Sequence, residues 1–296
     1  MREPVLRSPA GIVHARRTVE GGGFVVRRPF PTPELPLLDP FLLLDEMGPV
    51  QYAPGQAVGA PDHPHRGFET VTYLLDGEFE HADSAGNRGR LTPGDIQWMT
   101  AGRGVVHSEM PSARVRRDGG RVHGFQLWVN LPARDKMTAP RYQDVSAATL
   151  PIARTADGKA TVKVIAGNAL GVSARIETRT PILYFDVRLE AGGRVVLPVP
   201  PTYNAAVYVY EGTARVGDHR GAEGGSFVLL GAGEAVALAC ADDAPAPARM
   251  LVLGGEPLGE PVARYGPFVM NTEAEIREAI ADYQGGHFGG IAGAPG

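Results

Sequence analysis

Apolar residues in this chain come in short bursts. Runs such as Phe24-Val25-Val26, Phe41-Leu42-Leu43-Leu44 and Val71-Thr72-Tyr73-Leu74-Leu75 last a few residues and then break near glycine or proline. Bursts of that length, bounded by turn residues, read as buried strands. Elsewhere the pattern alternates, as at Phe125, Leu127 and Val129 in GRVHGFQLWVNLP, which reads as a strand with one face buried. The stretch GFVVRRPFP after Gly21-Gly22-Gly23 reads as another strand, and Asp76-Gly77 between two β-prone runs predicts a hairpin. One segment has a different period. In NTEAEIREAIADYQGG, Thr272 stands three residues before Glu275, as in a capping box. Ile276, Ala279, Ile280 and Tyr283 then follow at helical spacing, and Gly285 marks the end. That stripe reads as a packing face.

The rhythm of strands and glycine turns occurs twice. Gly94 and Gly102 lie 8 residues apart, as do Gly225 and Gly233, and the two pairs are related by an offset of 131. Gly77 and Gly212 differ by 135, so loop lengths shift slightly between copies. An internal duplication accounts for this better than coincidence. The polar, proline-containing stretch PARDKMTAPRYQDVSAATLP reads as a crossover between the copies. It divides the chain into expected domains 1–133 and 134–296.

Composition narrows the function classes. With 296 residues the chain can bury two cores, and 43% hydrophobic with 21% charged residues is ordinary for a globular protein. The high Gly (39) and Pro (26) counts fit many short strands. A net charge of −4 without a basic run argues against direct nucleic-acid contact. The single cysteine, Cys240, suits a reducing compartment, and neither a secretory leader nor a membrane-length apolar run is visible. A cytoplasmic monomer is the expectation.

Two short motifs carry candidate chemistry. PDHPHRGFET sets His63 and His65 one residue apart, with Glu69 four further on, and GRGVVHSEM does the same for His107 and Glu109. On a strand, residues i and i+2 share a face, so each pair would point one way. Two such pairs on neighbouring strands would put four ligands round one point. Imidazole suits iron, zinc, nickel or copper, and a carboxylate helps hold a divalent ion. Four protein ligands on an octahedral ion leave two positions open, which separates a catalytic site from a closed structural one. The bland alternative is a set of solvated histidines near turns.

The segments DPFLLLDE, HPHRGFETVTY, PGDIQWMTAGRGVVHSE and LWVNLP resemble the pirin family of the cupin superfamily, from about Pro29 to the C-terminal helix. The resemblance implies an all-β bicupin: two cupin-type antiparallel β-barrels with a C-terminal helix. It implies one divalent metal in the N-terminal barrel, Fe2+ first, with Zn, Ni, Cu, Mn and Co as alternatives. The family's ligand pattern falls on His63, His65, His107 and Glu109. The general cupin pattern would instead take Glu69, unless Gly67 bends that residue away. Bacterial members resemble quercetin 2,3-dioxygenases, which implies opening of a flavonol ring by dioxygen with release of carbon monoxide, and Glu109 as the catalytic base. The rival implication is a redox-sensitive regulatory protein, a transcriptional co-regulator or a modulator of a metabolic enzyme, acting on a protein partner without catalysis.

The second copy keeps none of this. At the offset of 131, His107 falls on Leu238 and Glu109 on Cys240; at 135, His63 falls on Pro198, His65 on Pro200 and Glu69 on Asn204. The C-terminal domain is therefore expected to be metal-free, with Cys240 a core thiol. His14, His81 and His219 read as surface residues and His123 as core or rim. Trp98, Phe68 and Phe125 are candidates to line the cavity, although core is the commoner fate of such residues. Arg103 is a candidate contact for an anionic group.

Overall fold

The computed structural model describes residues 2–20 and 23–291, so Gly21 and Gly22 of the expected glycine turn lie outside the described residues. The chain forms two units, each with one seven-stranded and one four-stranded antiparallel sheet. In the unit that carries the histidine motifs, the large sheet runs Arg141–Val145, Ile96–Thr100, Phe68–Asp76, Gly120–Asn130, Phe41–Tyr52, Phe24–Phe30 and Arg16–Glu20. Its small sheet runs Ala60–His65, Val105–Pro111, Phe79–Asp83 and Arg88–Leu91. The other unit repeats both orders. Its large sheet is Pro9–His14, Ser226–Leu230, Asn204–Glu211, Ala248–Gly255, Ile182–Leu189, Ala160–Ala166 and Ile152–Arg154. Its small sheet is Arg194–Pro198, Ala235–Ala239, Thr213–Val216 and His219–Glu223. The all-β, duplicated architecture read from the glycine rhythm is the one observed.

Two local readings change. Asp76-Gly77 does not close a hairpin: Phe68–Asp76 lies in the large sheet and Phe79–Asp83 in the small one. Gly77, at φ 96°, turns the chain from one sheet to the other, and Gly212, at φ 72°, stands between the equivalent strands of the second unit. The units are also discontinuous. Residues 1–16, 29–40 and 148–257 form one, and 17–28, 41–147 and 258–296 the other, in place of the split at 133/134. The stretch read as a crossover supplies Arg141–Val145, an edge strand paired to Ile96–Thr100, while the N-terminal Pro9–His14 pairs with Ser226–Leu230. Edge strands that arrive from afar leave no mark on local periodicity.

The C-terminal segment buttresses the histidine strand. The helix Glu273–Gln284 has the expected capping box, with Thr272 Oγ1 accepting from the Glu275 N–H and the Glu275 carboxylate accepting from the Thr272 N–H. Its Ile276 and Ala279 pack with Phe268, Met270 and Phe288 against Val106, a neighbour of His107. Buried Arg66, next to His65, donates to the Arg103 carbonyl at 2.7 Å and to Asp282 of the helix at 2.7 Å, and lies over the Phe288 ring. Between the two sheets the chain turns at Gly67, φ 89°, where a Cβ would stand 1.9 Å from the Val269 carbonyl oxygen. Lys136, 1% exposed, clamps that corner: its Nζ donates to Gly67 O, Val269 O and Asn130 Oδ1 at 2.9, 3.0 and 2.8 Å.

Lys136→Met is expected to cost about 2–4 kcal/mol, because buried acceptors lose a charged donor, and Gly67→Ala should unfold the same corner; urea denaturation checks both. Burial lowers the Lys136 ammonium from 10.5 to about 8. The folded chain then holds fewer protons than the unfolded one in that window, so stability gains as pH rises from about 8 towards 10.5. Subtracting the Lys136→Met pH profile from the wild-type profile should isolate that gain, and a flat difference would refute the buried-ammonium argument.

Candidate metal centre

His63 and His107 are direct partners across the antiparallel Ala60–His65 and Val105–Pro111 strands, and Val105 faces His65. Pro61 and Pro64 are tolerated because theirs is the edge strand of its sheet. The pairing brings three imidazoles together, with ring centres 4.4 Å (His63–His107), 4.7 Å (His63–His65) and 4.9 Å (His65–His107) apart. One nitrogen from each lies within 4.8 Å of the others. The His63 Nδ1 donates to the Pro61 carbonyl at 2.7 Å, which leaves Nε2 as the lone-pair atom.

The other two rings are nearly or fully buried. His107 has both ring nitrogens, and His65 its Nδ1, enclosed without a hydrogen-bond partner. Burial first, and then repulsion among the neighbouring imidazoles, holds both well below the usual histidine range. Neutral imidazoles with orphaned nitrogens are what a divalent cation needs, since only the neutral ring offers a lone pair. The donor set therefore fits a divalent metal ion.

Glu109 stands beside this trio. Its Oε2 is 3.9 Å from His107 Nε2, and its Oε1 is 2.7 Å from Thr72 Oγ1. Thr72 Oγ1 is also 2.8 Å from Gln126 Oε1, but a hydroxyl has one proton and the carboxylate is the stronger acceptor. A register shift after His107 sets Glu109 opposite Ala60, slightly off the line of the histidines. Glu69 is placed otherwise. The chain has changed sheets at Gly67, so the alternation that would bring Glu69 to the histidines is broken. Fully buried Glu69 accepts from Thr100 Oγ1 at 2.6 Å on the large sheet.

A cavity of about 500 Å³ opens onto His63, His65 and Glu109, and Thr72, Gln126 and Trp128 share its wall. Trp128, half-buried, meets the His65 ring edge-on at 5.3 Å. Trp98 and Phe125 are core residues, and Phe68 supports the wall from behind, 5.1 Å from His65 and 4.3 Å from Trp128. His81 is buried, not a surface residue; it faces Glu109 across the strands and stacks on Tyr142 at 5.5 Å. His14 is exposed and His219 half-exposed, while His123 is core, bonded to buried Glu46 at 2.8 Å. Thr72, Gln126, Arg28 and Arg264 carried no sequence signal: single polar residues in apolar strands or distant segments reach the cavity only through folding.

In the other unit, strand pairing revises the equivalences. With His107 on Leu238, the ladder places His63 opposite-equivalent to Val195 and His65 to Leu197, rather than to Pro198 and Pro200. All three aliphatics and Cys240 are buried in one apolar cluster. The pocket that holds polar groups in one unit is packed with hydrocarbon in the other.

Comparison with known proteins gives the relationship. The family described as Pirin matches residues 23–129, and the Pirin C-terminal cupin domain matches residues 184–289. The chain belongs to the pirin family. A pirin-like protein of Solanum lycopersicum is 46% identical over 279 residues, covering 94% of this chain and 91% of its own. One from Caulobacter vibrioides is 46% identical over 292 residues, covering 96% and 99%. Among solved structures, a quercetin 2,3-dioxygenase from Acinetobacter baumannii superposes with a TM-score of 0.88 at 39% identity, covering 96% of this chain and 99% of that one.

The asymmetry between units predicts a single tightly held divalent ion per chain, to be counted by elemental analysis. His107→Ala should lose it, and Glu109→Gln should weaken it more than Glu69→Gln. Two ions per chain, or the reverse order of the two glutamate variants, would contradict the geometry.

Proposed function

We propose that the chain is a metal-dependent dioxygenase of the quercetin 2,3-dioxygenase type, with iron(II) held by His63, His65, His107 and Glu109. The observation that carries this reading is the cavity: an open, largely apolar space reaches His63, His65 and the Glu109 carboxylate, with the neutral, buried His107 ring packed against both histidines. A structural site would have closed over its ion. The 39% identical Acinetobacter baumannii structure, described as a quercetin 2,3-dioxygenase, supports the choice of substrate class.

When bound, the metal supplies Lewis acidity towards a substrate hydroxyl and an electron route to dioxygen. The chain's residues do the rest. Glu109 takes the proton from the flavonol hydroxyl on its free oxygen. Thr72, bonded to the other oxygen, keeps the carboxylate from turning away. His63 is fixed in one tautomer by the Pro61 carbonyl. Trp128, Val122 and Phe79 line the space with hydrocarbon and reduce the water around the reacting ring.

Iron-loaded protein should consume oxygen when given quercetin and release carbon monoxide, followed with an oxygen electrode and gas analysis. Glu109→Gln, in protein shown to retain metal, should slow turnover by about 10²–10⁴-fold, the usual worth of a positioned base. Loaded protein that binds quercetin and never consumes oxygen would overturn the enzymatic reading. It would bring forward the regulatory one, in which a protein partner distinguishes ferric from ferrous forms.

A further inference from the structure

The cavity wall also carries two arginines, Arg28 and Arg264. Arg28 is already neutralised there: Asp45 accepts from it at 2.7 and 2.6 Å and Glu20 at 2.7 Å. Arg264, on the Ala263–Tyr265 strand, is not. Its guanidinium lies 4.9 Å from the centre of the Trp128 ring, and one of its five donors reaches the Leu42 carbonyl at 3.3 Å. No carboxylate among the described residues forms an ion pair with it. Burial and then the neighbouring Arg28 charge lower its affinity for the proton, only partly offset by Glu20 and Asp45. The cation–π contact with Trp128 places the guanidinium at the cavity wall, while Arg264 itself is exposed.

The wall therefore presents His65, then Trp128, then Arg264, through the contacts of 5.3 and 4.9 Å. A flat ligand with its oxygens at the histidine end would run beside Trp128 and bring its far end to the unpaired donors of Arg264. We propose that Arg264 is a specificity-determining residue, selecting planar aromatic ligands that carry an anionic group, a carboxylate, sulfonate or ionised phenol, at the end that meets Arg264 beside Trp128. This deepens the flavonol reading and rests on it for the orientation of the ligand. The fork of guanidinium donors suits an oxyanion better than a neutral hydroxyl.

The test is a binding measurement, independent of turnover. Quercetin and a quercetin carrying a sulfonate on its B ring are titrated into zinc-loaded protein without oxygen, followed by tryptophan fluorescence. Wild type should hold the sulfonate about fivefold more tightly, a modest factor because Arg264 is partly exposed. The preference should shrink as salt rises. Arg264→Met, which keeps an apolar contact with Trp128, should abolish it, and Arg264→Lys should retain part. Equal affinities in wild type, or a preference that survives Arg264→Met, would overturn the proposal. If neither flavonol binds, the flavonol reading fails by itself. The anion site is then judged with anilinonaphthalene sulfonate: weaker binding to Arg264→Met upholds it, and equal binding refutes it.

Discussion

The corner at Gly67 is the constraint on which the site depends. His63 and His65 end a strand of the small sheet, and three residues after His65 the chain begins a strand of the large one. Only a backbone free to adopt φ 89° with no Cβ passes the Val269 carbonyl at that point. Lys136 then ties both sides of the turn with a buried ammonium, and Arg66 ties the strand to the C-terminal helix. A buried cation with three oxygen partners tolerates little displacement, so the position of His65 is set by groups that never enter the cavity.

The two units show one topology put to two uses. In one, the strand pair facing the interior carries His63, His65 and His107. In the other, the equivalent pair carries Val195, Leu197 and Leu238, packed in a continuous apolar cluster. The aliphatic version satisfies itself through burial. The histidine version leaves nitrogens of His65 and His107 enclosed without partners, a cost that persists unless something coordinates them. The same strand pair thus carries histidines in one copy of the duplicated fold and core hydrocarbon in the other.

The cavity combines groups that would neutralise one another in water. Burial and mutual repulsion keep His65 and His107 neutral, Glu109 is tethered by Thr72, and Arg264 lies against Trp128 with no ion-paired carboxylate among the described residues. Strand geometry separates these groups, and the protein's low polarisability preserves the differences between them.

Local sequence was enough for some of this. Short apolar bursts between glycines determined an all-β chain, because strand length and turn chemistry are local properties. The glycine offsets determined the duplication, and Thr272 with Glu275 determined the helix start. The spacing of His63 with His65, and of His107 with Glu109, determined that each pair faces one way, since side chains alternate along a strand whatever surrounds it. Tertiary structure alone decided the rest. It showed that Asp76-Gly77 is a sheet crossing, that Arg141–Val145 and Pro9–His14 are edge strands of separate units, and that His81 is interior. It also separated Glu109 from Glu69, because the alternation rule ends where the chain leaves one sheet for the other at Gly67. Residues such as Thr72, Lys136 and Arg264 act across gaps of 37, 69 and 222 residues to Glu109, Gly67 and Leu42. Pairings at that separation are chosen by how sheets close on one another, and no periodicity within a strand records them.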